Sequence, residues 1–317
     1  MLDRFGRNIE YLRISVTDRC NLRCIYCMPE KGISSISHEE VLRYEEIIKL
    51  VKIATELGIN KIRITGGEPL VRKDLVSFIA LLREIDEIKD ISLTTNGIFL
   101  ERYLDNLISA GLNRINISLD SLNPKIYKKI TRRGNLNDVM KGLKKAIKSS
   151  IRPIKINVVV MKNLNDNLKD LAKLSMKEPI HVRFIEYMPI MGIEKIRGLT
   201  EEEMLNELSK YGELIKTKNP FGYGPATYYK YKNAKGTIGL ICSNSHNFCD
   251  KCNRLRLTSD GRLKPCLFGE EEVDIKTMLR NNANDNILKE AFKKAIYIKP
   301  KKRKINQKIH YMYHIGG

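Results

Sequence analysis

The chain has 317 residues, 42% of them hydrophobic and 30% charged, enough for one large domain or one and a half and unlike a disordered chain. The N-terminal stretch MLDRFGRNIEYLRIS has no apolar segment of the secretory kind. Runs such as INVVVM (156–161) fall far short of the roughly 20 residues that span a bilayer, so a cytoplasmic protein without a membrane partner is expected. A net charge of +20 would suit a polyanionic partner, yet lysines are scattered through nearly every segment and only KPKKRK (299–304) is dense. Most of that charge reads as solvated helix faces. No aromatic-rich basic face of the kind that stacks bases is present, so a nucleic-acid partner is not expected.

In chain order, short β-type runs alternate with longer amphipathic ones. LRISVT (12–17), KIRIT (61–65), DISLTT (90–95), RINISL (114–119), IKINVVV (154–160) and HVRFIEY (181–187) read as strands. Helical patterns lie between them, as at 38–57 and 136–150. Regular β-then-α alternation predicts an α/β fold with a parallel sheet and helices outside it. Six units are countable where a closed barrel needs eight, so the expectation is an incomplete (βα)6 TIM-type barrel over 1–190. A smaller C-terminal region (191–317) follows. It opens on LTEEEMLNELSKYG, where Thr200 and Glu203 form a capping-box pattern, continues through the β-type runs ATYYKYK and TIGLIC, and closes on a helix near 285–297.

Seven cysteines fall in two clusters, at 20, 24 and 27 and at 242, 249, 252 and 266. In a reducing compartment this spacing favours metal or cofactor binding over disulfides. On a helix, Cys20, Cys24 and Cys27 would share one face, but Asn21, Arg23 and Pro29 indicate a loop after the first strand. Zinc would need a fourth ligand, and His38 is the nearest candidate. Three thiolates on a four-iron cluster would instead leave one iron open to a ligand. In the second cluster, Cys249, Cys252 and Cys266 stand with Arg254 and Arg256, which share one face of a strand and suit phosphate. With Cys242 included, a zinc ribbon is the alternative. Arg13, Arg63, Lys155 and Arg183 lie inside strand candidates among apolar neighbours, which is costly without an anionic partner. Glu68 or Glu186 could serve one or two of them. No G-x-x-x-x-G-K-[ST] occurs, so a conventional P-loop is not expected.

The C-x3-C-x2-C spacing with Tyr26, followed one βα unit later by TGGEP (65–69), resembles the radical S-adenosylmethionine (SAM) enzymes. The segments YLRISVTDRCNLRCIYCMP, KIRITGGEPLVRKDL, TTNG, INISLDSL, VRFIEYM, GPATYY, FCDKCNRLRLT and the closing IGG narrow the resemblance to the MoaA-type GTP 3′,8-cyclases of molybdenum cofactor biosynthesis. Cys242 is outside that pattern. The resemblance implies two [4Fe-4S] clusters, on Cys20, Cys24 and Cys27 and on Cys249, Cys252 and Cys266. SAM would lie at Tyr26, Gly67, Ser118 and Met188, and GTP at Arg13, Arg63, Thr94, Lys155, Arg183, Arg254 and Arg256. It further implies a terminal Gly316-Gly317 that reaches the active site, a low-potential electron donor, a homodimer, and a product used by cyclic pyranopterin monophosphate synthase. The reaction implied is abstraction of the ribose C3′ hydrogen by a 5′-deoxyadenosyl radical, then closure of C3′ onto guanine C8. A maturase with an auxiliary cluster is the nearest rival, and it would carry more C-terminal cysteines.

Overall fold

The computed structural model describes residues 1–188, 196–220, 224–243 and 248–303. Six strands form the parallel centre: β1 (Tyr11–Ser15), β2 (Lys61–Thr65), β3 (Asp90–Thr95), β4 (Arg114–Ser118), β5 (Ile154–Val160) and β6 (Ile180–Glu186). Between them run α1 (Tyr44–Thr55), α2 (Leu75–Arg83), α3 (Leu100–Ser109), α4 (Pro124–Thr131), α5 (Leu136–Lys148) and α6 (Lys169–Lys177). The strand expectations hold to within two residues. The first helix starts at Tyr44 rather than 38, because Glu46 accepts from the Arg43 amide in a capping box and fixes the first turn there.

The C-terminal region supplies α7 (Glu201–Ser209), β7 (Leu214–Thr217), β8 (Thr227–Tyr231), β9 (Thr237–Ile241), β10 (Arg254–Leu257), β11 (Arg262–Lys264), β12 (Val273–Asp274), α8 (Ile275–Arg280) and α9 (Asp285–Tyr297). Thr200 caps α7, and the Thr200–Glu203 box is formed. All twelve of these strands belong to one sheet, in the order β12-β11-β10-β1-β2-β3-β4-β5-β6-β9-β8-β7. β10 adds in parallel to β1 and β9 in parallel to β6. The two parallel strands that six βα units lack therefore come from beyond residue 190, without the βα rhythm that would reveal them in sequence. The sheet stays open between β9 and β10, as an incomplete TIM-type barrel does.

The strand alternation sorts the two faces. Leu12 and Ile14, Ile62 and Ile64, Ile91 and Leu93, and Ile154 and Ile156 are buried in the main apolar core. The other face is polar. Arg256, Arg13 and Arg63 are Cα partners on three adjacent strands, and Asn157, Arg183 and Gly239 are partners on three more.

Candidate active site

The loop after β1 carries the first three cysteines and contains no helix. Its C-x2-C half is closed by the Cys27 amide donating to the Cys24 carbonyl (2.9 Å). The loop is tied to the end of α4 by the amides of Arg23 and Ile25, which donate to the carbonyls of Thr131 and Ile130. The second triad repeats the device. The Cys252 amide donates to the Cys249 carbonyl (3.1 Å), and the following segment docks on β1 through the Asn253 carbonyl, which accepts from Glu10 and Tyr11.

TGGEP lies directly against the first loop. The Gly67 amide donates to the Thr17 carbonyl (2.7 Å) and the Glu68 amide to the Arg19 carbonyl (2.8 Å). A Cβ on Gly67 would overlap the Arg19 carbonyl, so glycine is required here by backbone approach alone. Gly67→Ala should lower the stability of the apoprotein by about 1–3 kcal/mol, read as a drop in the urea midpoint. An unchanged midpoint would show that the loop gives way freely.

Both triads line one cavity of about 330 Å³. Tyr26, Gly67, Ser118, Met188, Arg13, Arg63, Thr94, Arg183, Arg254 and Arg256 line it as well. Lys155 does not. It is buried, its ammonium lies 5.7 Å from the centre of the Tyr228 ring, and its pKa is pushed down to about 6 by burial and then by Arg183 and Arg114. Gly316 and Gly317 lie outside the described residues. Cys242 faces away from the cavity, packed in the main core, while its neighbours Ile241 and Ser243 line the cavity.

Asp120 and Asn96 also line the cavity and are not among the candidate residues named above. Asp120 accepts from the Tyr26 hydroxyl (2.7 Å) and from the Val159 amide (2.8 Å), and burial raises its pKa to about 6. Its signal was present, since Asp120 stands two residues beyond Ser118 along the same line of chain. Asn96 donates to the Asn21 side chain (2.7 Å) beside Cys20. Glu68 accepts from the Thr95 hydroxyl and the Asn96 amide (2.6 Å each), and burial raises its pKa to about 7. Those bonds commit Glu68 to its own strand end and argue against its serving as counter-ion to the arginines.

The electrostatics point to guests of two kinds. In the first triad, burial leads in raising every thiol. Cys20 goes to about 11, with Glu68 next in effect; Cys27 goes to about 12, with Cys20 next; Cys24 is raised well above the ordinary thiol value, with Cys27 next. Such a set holds three thiolates only around a compensating cation, which is what iron provides. In the second triad burial also works against the Cys252 thiolate, but Arg254 and Lys299 outweigh it and bring the pKa down to about 6. Among the described residues no three Cys, His, Asp or Glu groups converge on a point suited to a single metal ion. The arginines call for an anion. Burial, followed by Arg256, depresses Arg13 strongly, and burial, followed by Arg254, brings Arg256 down to about 10. Buried Nε of Arg183 and Oδ1 of Asn157, both on cavity-lining residues, have no hydrogen-bond partner among the described residues.

A profile of the radical SAM superfamily matches residues 14–175, and one described as Molybdenum Cofactor Synthesis C matches 180–305. The GTP 3′,8-cyclase of Heliobacterium modesticaldum is 49% identical over 305 residues, covering 95% of this chain and 93% of that protein. That of Syntrophomonas wolfei is 45% identical over the whole of both chains. The chain belongs to the GTP 3′,8-cyclase family of radical SAM enzymes. Solved structures agree on the fold. Streptococcus suis SuiB bound to S-adenosylmethionine superposes with a TM-score of 0.63 at 16% identity, over 89% of this chain and 67% of that one. The structure titled anSMEcpe with bound AdoMet gives 0.52 at 20% identity, over 63% and 57%. Membership of this family brings SAM and an iron–sulfur cluster as cofactors. It also accounts for the polar face of the barrel, which in a purely structural barrel would be packed with aliphatic side chains. No helix among the described residues is long and apolar enough to cross a membrane.

Proposed function

We propose that the chain converts GTP to (8S)-3′,8-cyclo-7,8-dihydroguanosine 5′-triphosphate, the first step of molybdopterin biosynthesis. The observation that carries this reading is the single cavity shared by two thiol triads and a row of buried and half-buried arginines. When bound at Cys20, Cys24 and Cys27, the first [4Fe-4S] cluster and SAM supply the 5′-deoxyadenosyl radical that removes the C3′ hydrogen. Tyr26, Gly67, Ser118 and Met188 hold SAM, with Asp120 fixing the Tyr26 hydroxyl. Cys249, Cys252 and Cys266 would hold a second [4Fe-4S] cluster, which would supply an attachment point for the guanine base. Arg13, Arg63, Arg183, Arg254 and Arg256, with Thr94, neutralise the triphosphate and keep the ribose from turning. Lys155 is not among the cavity-lining residues; it is buried beside Tyr228, and burial and Arg183 disfavour its charge. By the same family likeness, Gly316 and Gly317 are assigned a part in the cyclisation.

Residues 1–190 thus serve SAM cleavage and supply Arg13, Arg63, Thr94 and Arg183 to the substrate, while 191–317 adds the second cluster, Arg254 and Arg256. The same family likeness supports a cytoplasmic homodimer fed by a low-potential electron donor, with the product passing to cyclic pyranopterin monophosphate synthase. Metal content after anaerobic reconstitution tests the reading. About eight irons and no zinc per chain is the expected result. About four irons with one zinc would return Cys242 to the ligand set and overturn the second-cluster assignment.

A further inference from the structure

The run at 299–304 is the one dense basic stretch of the sequence, and its first residue is not solvated. Lys299 is 2% exposed. Its ammonium donates to the Arg254 carbonyl (2.8 Å) and to the Pro265 carbonyl (2.5 Å). Those two carbonyls belong to the two walls of the second triad: Arg254 follows Cys252 by two residues, and Pro265 immediately precedes Cys266. The chain just beyond is fastened too, since Arg7 donates to the Pro300 carbonyl (2.9 Å) and to the Cys249 carbonyl (2.9 Å).

Burying an ammonium costs several kcal/mol unless it is well compensated. Two neutral carbonyls compensate it in part; the remainder comes from negative charge close by. Cys252 and Cys266 are the groups whose charge favours the ammonium, while Arg254 and Arg7 oppose it. The lysine thus ties the two segments that carry Cys252 and Cys266 to one another, and it is not among the residues that line the cavity.

We infer that Lys299 is a positioning residue for the second cluster: it spans the two segments that carry Cys252 and Cys266 and supplies a fixed positive charge near their sulfurs. This rests on the assignment of Cys249, Cys252 and Cys266 as cluster ligands. A positive charge at that place favours the more negative, reduced state of a cluster, so it raises the reduction potential.

The test uses the full-length reconstituted enzyme and compares Lys299→Gln, which keeps a donor for the carbonyls but no charge, with Lys299→Arg, which keeps the charge. Iron per chain, the reduction potential of the second cluster by EPR-monitored titration, and SAM cleavage at the first cluster are measured together. Retained SAM cleavage reports that the barrel is folded. Lys299→Gln should either lose about half of the iron or keep it with the second cluster shifted to lower potential, and Lys299→Arg should restore the wild-type value. Full iron at the wild-type potential in Lys299→Gln would overturn the inference, as would an arginine variant no better than the glutamine one. If the unsubstituted enzyme itself holds about four irons, the cluster assignment fails rather than the role of the lysine.

Discussion

An Arg256→Ala enzyme should bind GTP about 10- to 100-fold more weakly, the equivalent of losing one charge-assisted hydrogen-bonded contact of about 1.5–3 kcal/mol. Arg256, Arg13 and Arg63 are lateral neighbours on β10, β1 and β2, so three guanidiniums are held close together, Arg256 buried and the other two half-buried. In the empty protein that arrangement is unfavourable, which is why burial and Arg254 depress Arg256. The anion repays it. The substitution should therefore separate two readouts: GTP affinity falls and becomes less sensitive to salt, while the melting temperature of the apoprotein is held or raised, because one like charge has gone. Equilibrium binding and thermal melting of the same preparation check both. Unchanged affinity would remove the guanidinium row from the phosphate site, and a large drop in melting temperature would make Arg256 structural.

The second large effect concerns the division of labour between the triads. Cys252→Ala should leave about four irons per chain and measurable formation of 5′-deoxyadenosine, while the cyclic product falls by roughly 100-fold or more, an effect of the size expected when a reactant loses its orientation. The two triads are attached to different elements, one on the loop between β1 and α1 and the other beside β10, so losing one need not unfold the other. Measuring both products by chromatography distinguishes the outcomes. Cyclisation at the wild-type rate would make the second triad dispensable for substrate binding. Loss of both products would show that the triads depend on each other for folding.

The six central strands were legible because each has a local signature, a short β-branched run ended by turn residues. The thiols and the basic strand positions were legible because buried charge and C-x2-C spacing are conspicuous in an otherwise aliphatic strand. What could not be read was long-range pairing. Nothing local in RLRL (254–257) specifies that it will lie against Tyr11–Ile14, because register between distant segments is set by the assembled core. For the same reason Lys299 reads as part of a surface tract until its two carbonyl partners, from separate loops, are brought to it. Lys155 shows the converse. Its sequence neighbourhood matches that of the arginines, yet it sits too deep on β5 to reach the cavity surface, a difference of depth that period-two alternation does not encode.

The pairing of β10 with β1 also shapes how the molecule is made. β1 leaves the ribosome well before the strand that covers its outer edge, which is separated from it by some 240 residues of chain. At typical synthesis rates of ~5–20 residues per second, that edge waits roughly 10–50 s for its partner. Such separation gives the contact a high sequence cost and places its formation late. An unpaired edge is also a template for association with other chains. During synthesis, then, the arginines of β1 and β2 face a half-built wall, and the basic row is assembled only when the last quarter of the chain closes over the first strand.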